Sequence, residues 1–319
     1  MAAPRHTKPL PLLTQGVGIN NRVAPHRIPF SIESGVGALE HAVDIILDRT
    51  GELVTRKGTE LLQSGIFHSM YPAKHGFYIA EDRESDTAIH IASVDSLGQV
   101  QLKGIWAGLS KGKWLSYFVL EDIVFYANGT QNGVLFQDTR APWIESEFTD
   151  NTTADMVQTP VGNHIEILSG RALVAIDNEI IYSEHGLLGI TDTTRNRQRF
   201  EHRIVLMCAV QTGVFVSTTE AIYFLSGLIP SKWEIKRVAN YPAIEWCREP
   251  GLVDPVKLGF KSSHLGVLFG TVEGPVVGLS DGSLHNSINK NVQMPTTCGG
   301  NQGSIMTVDD SLIIQSSGV

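Results

Sequence analysis

Two carboxylates near the middle of the chain are the residues best suited, by type and spacing, to acid–base chemistry. Glu145 and Glu147 lie two positions apart, with Trp143 before them and Phe148 after them. In a strand, residues two apart point to the same face, so the two carboxylates would lie side by side. A pair of carboxylates is what glycoside hydrolysis needs. With Trp143 and Trp114 as aromatic contacts for a sugar, one alternative is a protein that binds or cleaves host-surface carbohydrate.

The other residues with chemical potential do not form a recognisable site. The acidic cluster at 81–86 is interrupted by Arg83 and misses the spacing of a calcium loop, so we interpret it as a solvated hairpin turn. The segment 16–21 begins like a dinucleotide-binding loop but has no strand before it and no third glycine. The three cysteines form no CxxC pair, and His68 and His75 lack a further ligand at metal-binding spacing. We therefore expect no catalytic residue, no metal and no cofactor, and we expect that the protein is not an enzyme.

From residue 77 onward the sequence repeats one unit, which consists of an apolar run, a short polar turn and a second apolar run. Six such units begin about 46 residues apart on average, which is the length of one four-stranded propeller blade. Strict alternation is lost within the runs, as expected of strands that are buried on both faces. The paired runs are 77–80 with 88–91, 123–126 with 134–136, 173–176 with 180–182, 214–216 with 222–225, 267–269 with 276–279, and 305–308 with 312–314.

This repeat predicts an all-β fold, a β-propeller of about six blades formed by residues 36–319, with a pair of β-sandwiches as the alternative. The last unit lies close to Val319 and has too few strands to complete a blade. A hairpin signal at 41–62, with its turn at 48–51, belongs to no repeat of its own. We expect this N-terminal hairpin to supply the missing strands and close the ring, because closure removes exposed sheet edges.

Residues 1–35 form the second predicted region, an extended basic N-terminal arm rich in proline. Its first 30 residues contain four bases and no acid, whereas the rest of the chain has 21 of the 25 bases and all 33 acids, a charge of −12. Because arm and body are complementary in charge, we predict that the arm binds a neighbouring subunit. The alternative is that it covers its own propeller. The predicted partner-binding residues are Arg5, Lys8, Leu12, Leu13, Arg22 and Arg27.

The composition also argues against two kinds of partner. An acidic body lacks the basic surface that sequence-independent DNA binding requires, and we expect no sequence-specific nucleic-acid contact either. The longest strongly apolar run, 204–210, is far shorter than the roughly 20 residues of a membrane helix, so we expect no membrane span. No secretory leader is recognisable, and the few widely spaced cysteines fit folding in a reducing cytoplasm.

Several segments resemble a group of tailed-bacteriophage virion proteins with propeller folds. The segments that are similar to this group are 18–21, 42–45 and 56–58 for an opening block, 227–233 and 241–243 for a mid-chain block, and 277–286 for a late blade. Their shared order, more than any one segment, carries the resemblance.

The resemblance implies a non-catalytic structural component of a phage particle, in the tail or at the head–tail junction, acting by subunit assembly around the DNA-exit channel. Its partners would be other virion proteins of the tail or neck and further copies of itself in a homo-oligomer. It would be located in the virion, after being made and assembled in the host cytoplasm. Propellers at this place in short-tailed phages form a nozzle, but this chain has no room for the separate tip domain of the larger nozzle proteins. The family offers no catalytic residues to carry over.

Overall fold

The structure is a computed structural model, and it describes the chain in part. Side chains are described in residues 64–74, 76–96, 99–143, 156–256 and 264–285. Backbone alone is described at 15–19, 30–31, 36–39, 45–47, 53–55, 257–258, 303–308 and 311–316. Contacts divide the chain into two units, residues 1–61 with 287–295 and residues 62–286 with 296–319. The predicted boundary between residues 35 and 36 stays a prediction.

The smaller unit contains two small sheets. In the first, β1 (Gln15–Ile19) runs parallel to β3 (Val36–Leu39), and β2 (Phe30–Ser31) pairs with β3 in the antiparallel sense. In the second, β4 (Ile45–Leu47) and β5 (Leu53–Thr55) form an antiparallel hairpin. The hairpin predicted at 41–62 is therefore present, while its role in closing the ring stays a prediction.

The larger unit is built from four-stranded antiparallel sheets that follow one another along the chain. Blade 1 contains β6 (Ile66–Ala73), β7 (Gly76–Asp82), β8 (Thr87–Val94) and β9 (Val100–Leu109). Blade 2 contains β10 (Ser116–Leu120), β11 (Ile123–Ala127), β12 (Asn132–Phe136) and β13 (Thr139–Ala141). The short strand β14 (Met156–Gln158) follows. Blade 3 contains β15 (His164–Leu168), β16 (Arg171–Ile176), β17 (Glu179–Tyr182) and β19 (Arg197–Arg199). Strand β18 (Ile190–Asp192) lies between β17 and β19 in the sequence but is not part of this sheet. Strands β14 and β18 pair with each other.

Two further sheets and a hairpin complete this unit. Blade 4 contains β20 (Ile204–Val210), β21 (Gly213–Thr218), β22 (Ile222–Ser226) and β23 (Glu234–Ala239). Blade 5 contains β24 (Ala243–Arg248), β25 (Val267–Thr271), β26 (Gly274–Gly278) and β27 (Leu284–His285). The hairpin consists of β28 (Gly303–Val308) and β29 (Ser311–Ser316). Two 3₁₀ turns lie at Pro230–Lys232 and Pro255–Leu258.

The protein is thus an all-β β-propeller, and all six predicted hairpins form as antiparallel strand pairs. The first five are the two middle strands of blades 1 to 5. The sixth, β28–β29, is a two-stranded sheet in which β28 lies against β24. The described residues therefore contain five blades where the sequence predicts about six, because the sixth hairpin has no third or fourth strand among them.

The core lies between the blades, which explains why the apolar runs lose strict alternation. On β16, Leu173 and Ala175 pack toward blade 4, while Ala172 and Val174 pack toward blade 2. Similar clusters lie between blades 1 and 2 and between blades 4 and 5. Burying one such aliphatic side chain contributes about 1.5–3 kcal/mol, so a strand packed on both faces is best built from apolar residues throughout.

Candidate functional site

The axis of the propeller is crossed by a buried arginine. Strands β10, β15, β20 and β24, the first strands of blades 2 to 5, lie next to one another in that order. Arg248 on β24 is paired with Glu166 on β15, and their side chains are only 17% and 13% exposed. The same guanidinium donates to the carbonyl oxygens of Met207 on β20, at 2.7 Å, and Tyr117 on β10, at 2.9 Å. One side chain therefore links four blades across the axis.

In this pair, each residue stabilises the charged form of the other. Burial opposes the charge on Arg248, but the neighbouring Glu166 outweighs it and raises the pKa of the guanidinium. Burial raises the pKa of Glu166, although Arg248 works in the opposite direction. Cys208 lies 3.9 Å from the guanidinium, and burial raises the pKa of its thiol to about 12. A thiol in this state is not a nucleophile at neutral pH, so the cluster links strands and does not supply a reactive group.

A column of four aromatic rings lies near the same innermost strands. The ring centroids are 5.4 Å apart for His68 and Trp114, 6.4 Å for Trp114 and Trp246, and 4.2 Å for Trp246 and His164. Trp246 has a φ of 65°, which is rare for a bulky residue, and it lies where the pairing of β24 with β25 is irregular. The backbone thus departs from a regular strand at the point where Trp246 joins the column.

Each histidine of the column faces one carboxylate. Nε2 of His68 lies 3.4 Å from Asp82, and Nε2 of His164 lies 3.8 Å from Glu245. Burial lowers the pKa of both histidines, and the carboxylates oppose this only in part. Burial also opposes the charge on Glu245, but the hydrogen bonds that it accepts from Arg203, together with the nearby His164, hold its pKa below the usual value. At neutral pH the column therefore contains neutral imidazoles beside charged carboxylates.

The structure corrects one residue of the sequence-based carbohydrate hypothesis. Trp143 is 4% exposed and packs edge-on against Phe118 and Phe125 between blades 2 and 3, so it is core and no binding platform. Trp114 is half-buried within the ring column. The carboxylates Glu145 and Glu147 lie outside the described residues.

The other sequence-based candidates are placed as follows. The six arm residues Arg5, Lys8, Leu12, Leu13, Arg22 and Arg27 lie outside the described residues. The acidic cluster forms the turn between β7 and β8, where Arg83 bonds Asp86, and Asp86 also accepts from the backbone N–H of Gly108. Over the part of the chain with described side chains, no three His, Cys, Asp or Glu residues are grouped so that they could hold a metal ion. The described segments also include no helix with the length and apolar character of a membrane span.

The sequence analysis missed Arg248, Glu166 and Trp246. One signal was available, because Glu166 lies within β15 and Arg248 at the end of β24, and both strands are otherwise largely apolar. A charge in such a strand needs a buried partner. Which partner it has cannot be derived from the sequence, because the two residues are 82 positions apart.

One face of the propeller presents exposed apolar side chains. We call it the turn face: it contains the turns from the first to the second strand and from the third to the fourth strand of each blade. The large apolar residues exposed there include Val119, Leu120, Phe136, Leu187, Leu228, Ile229, Leu252 and Val256. An apolar set concentrated on one face is typical of a contact surface.

Two of the segments that carry the sequence resemblance lie on this turn face. Gly227–Trp233 forms the turn between β22 and β23, which is closed by a hydrogen bond of 3.0 Å from Trp233 Nε1 to the carbonyl oxygen of Gly227. The turn between β26 and β27 contains Ser280, whose carbonyl oxygen accepts a hydrogen bond from Thr212 of blade 4. Both segments therefore help to shape the same face.

Comparisons with known proteins show distant likeness alone. No protein-family model matches the chain, and no curated protein matches it significantly. Among solved structures, the AfRom2 CNH domain aligns over 78% of this chain and 72% of its own, with 10% identity and a TM-score of 0.38. A protein from Lactobacillus plantarum aligns over 77% and 78%, with 11% identity and a TM-score of 0.44. KlHsv2 with loop 6CD replaced by a Gly-Ser linker aligns over 82% and 79%, with 11% identity and a TM-score of 0.40. Likenesses this distant carry no functional inference.

Proposed function

We propose that this chain is a non-catalytic structural component of a phage particle, in the tail or at the head–tail junction, that acts by subunit assembly around the DNA-exit channel. The observation that carries this proposal is the set of exposed apolar side chains on the turn face, because an apolar surface on one face is typical of a protein contact. The position of two resemblance segments on the same face supports it. The partners are further copies of the chain and other tail or neck proteins.

The rigidity of the propeller supports the same role. Arg248 and Glu166 link blades 2, 3, 4 and 5 across the axis. The ring column adds contacts between aromatic residues of different blades. A module of this kind holds its faces in a fixed geometry, as a repeating particle subunit requires. The N-terminal arm then serves as a strap, with its six predicted residues on the next subunit.

We further propose that the ring has six blades. Strand β28 lies beside β24 as β24 lies beside β20, so β28 and β29 would be the first two strands of a sixth blade. A two-stranded hairpin such as β4–β5 has the strand number that this blade lacks. Removal of residues 1–62 should lower the unfolding temperature and cooperativity far more than removal of residues 2–30. Equal stability of the two truncated proteins would contradict this closure.

A matched pair of isoleucines tests the structural role. Ile229 on the turn face and Ile235 on the outer strand β23 are 51% and 44% exposed. Ile229→Asp should reduce incorporation into particles and retention of packaged DNA, since it places a charge in the contact, whereas Ile235→Asp should not. Both are measured in phage that complement a deletion of this gene. Normal particles with Ile229→Asp, or particles that never contain the chain, would reject the proposal.

The carbohydrate alternative is tested on the purified protein. Binding to host-surface glycan, or its hydrolysis, would have to be lost in Glu145→Gln or Glu147→Gln. Clear turnover that either substitution abolishes would replace the structural role by an enzymatic one.

A further inference from the structure

A groove on the turn face lies between blades 1 and 2. Its volume is about 300 Å³, at the lower end of the range for ligand sites. The side chains of Pro72, Ile91 and Val124 are among those that line it. Val119 and Phe136 line it as well and are each 46% exposed, so apolar surface remains open to a partner.

The rim of the groove has a negative charge that is not balanced locally. Lys74 of blade 1 and Asp122 of blade 2 form an ion pair of 2.7 Å across the mouth. Glu121, next to Asp122, is exposed and makes no ion pair with any residue whose side chain is described. It also has a φ of 57°, in the left-handed region, and Gln137 opposite has a φ of 53°. Both residues lie in two-residue hairpin turns, β10–β11 and β12–β13, where a left-handed φ is common.

The backbone of Gln137 is fixed by a hydrogen bond from the floor of the groove. The hydroxyl of Tyr78, on blade 1, donates to the carbonyl oxygen of Gln137 at 2.8 Å. This bond joins the floor of the groove to its rim across two blades. The groove is therefore preformed, and an occupant would not have to order it, which favours binding.

The chain itself contains a segment of the matching chemistry. Residues 8–13 read Lys-Pro-Leu-Pro-Leu-Leu, and the first 30 residues contain no acid. Alternating prolines favour an extended polyproline II conformation, which loses little entropy on binding. Segments of this kind dock in apolar grooves lined by aromatic residues. Lys8 would supply a positively charged partner for the carboxylate of Glu121.

We propose that the groove between blades 1 and 2 binds residues 8–13 of a second copy of this chain, with the leucines on Val119 and Phe136 and Lys8 beside Glu121. The inference rests on the proposed function, because it names the acceptor site of the arm. It gives the homo-oligomer a head-to-tail contact, in which each subunit donates an arm and receives another.

Self-association of the full chain, followed by sedimentation velocity, tests the groove. Phe136→Ser and Glu121→Lys should each weaken the association by about tenfold or more, as truncation of a central contact does. Ile235→Ser is the matched control, because Ile235 is 44% exposed but lies outside the groove and off the turn face, and it should change nothing. The charge-swapped chain with Lys8→Glu and Glu121→Lys should recover most of the association that either substitution alone removes.

A mixture separates binding to a second copy from binding within one copy. A chain with Phe136→Ser has an intact arm, and a chain with Lys8→Glu has an intact groove. If the arm binds a second copy, the mixture should form heterodimers, whereas each variant alone should stay monomeric. Recovery by the charge swap without heterodimers would place each arm in its own groove and overturn the proposal.

The remaining outcomes distinguish the two levels of the inference. If removal of residues 2–30 abolishes association but the groove variants associate normally, the groove is wrong and the arm proposal stands. If the protein without residues 2–30 assembles normally, the arm proposal fails and the groove proposal fails with it. A full chain that stays monomeric at every concentration also overturns the groove proposal, while the particle assay with Ile229→Asp still decides the structural role.

Discussion

The arginine that crosses the axis offers the sharpest test of how this propeller is held together. Arg248→Ala removes the partner of Glu166 and the donors to two carbonyl oxygens on other blades. Breaking a buried ion pair from one side costs about 3–5 kcal/mol, because the remaining charge is left without compensation. The side chains are largely buried, so solvent does not screen this loss.

The size of the effect follows from the size of the domain. For a unit of 150–250 residues, 1 kcal/mol corresponds to about 2–4 °C, so Arg248→Ala should lower the unfolding temperature by roughly 6–20 °C. Glu166→Leu should have a similar effect. The double variant Arg248→Met/Glu166→Leu should unfold above either single variant, because replacing both members of a buried pair by apolar residues is often neutral. Thermal and denaturant unfolding, followed by circular dichroism, measure all three.

An ion pair on the surface provides the control. Arg199 bonds Glu179 on blade 3, but the side chain of Arg199 is 69% exposed. An exposed pair contributes about 0–1 kcal/mol, so Arg199→Ala should shift the unfolding temperature by only a few degrees. If Arg248→Ala behaves like Arg199→Ala, the contact across the axis does not stabilise the propeller and our account of its rigidity is wrong.

The remaining predictions concern one turn and the ring column. Gly282→Ala should destabilise the protein more than Gly186→Ala, because both glycines have a left-handed φ but only at Gly282 would an added Cβ clash with the ring of Phe224. Equal loss of stability in denaturant titrations would contradict this. The folded-state pKa of His164 is lowered from its ordinary value of 6.5, so the unfolded chain binds the proton more readily and stability should fall as pH decreases below about 6.5. His164→Gln should flatten the unfolding temperature between pH 7 and 5 relative to the parent, and an unchanged slope would contradict the assignment.

The fold was predictable because its signal is local and repeated. Each pair of apolar runs, such as 173–176 with 180–182, is a hairpin whose two strands are adjacent in sequence. Both faces of these strands are packed against neighbouring blades, so the missing alternation was itself informative. The number of four-stranded blades was harder to predict, because β28–β29 has the same local signal as the other five hairpins but forms only a two-stranded sheet among the described residues.

The site was not predictable in the same way, because its residues come from different blades. Trp246 and His164 form one contact of the ring column from strands β24 and β15. Only the radial arrangement brings such strands together. The same reason explains the error at Trp143, which lies two residues after β13 and close in sequence to two carboxylates but is buried between two blades. Aromatic type and local polarity do not reveal whether a residue at the end of a blade faces solvent or the next blade.

The contacts of Arg248 between the first strands limit how this chain could surround DNA. Arg248 on β24 bonds residues on β10, β15 and β20, so the side chains of Arg248 and Glu166 lie between the first strands of blades 2 to 5, where a duplex threading one propeller would have to pass. In the proposed particle the DNA path must then lie between subunits, bounded by the outer surfaces of several copies. A body with a charge of −12 outside its first 30 residues would repel phosphates along that path, so DNA would be retained by enclosure and not by binding. Enclosure requires strong contacts between copies, and the apolar turn face and the basic arm are the features that could provide them.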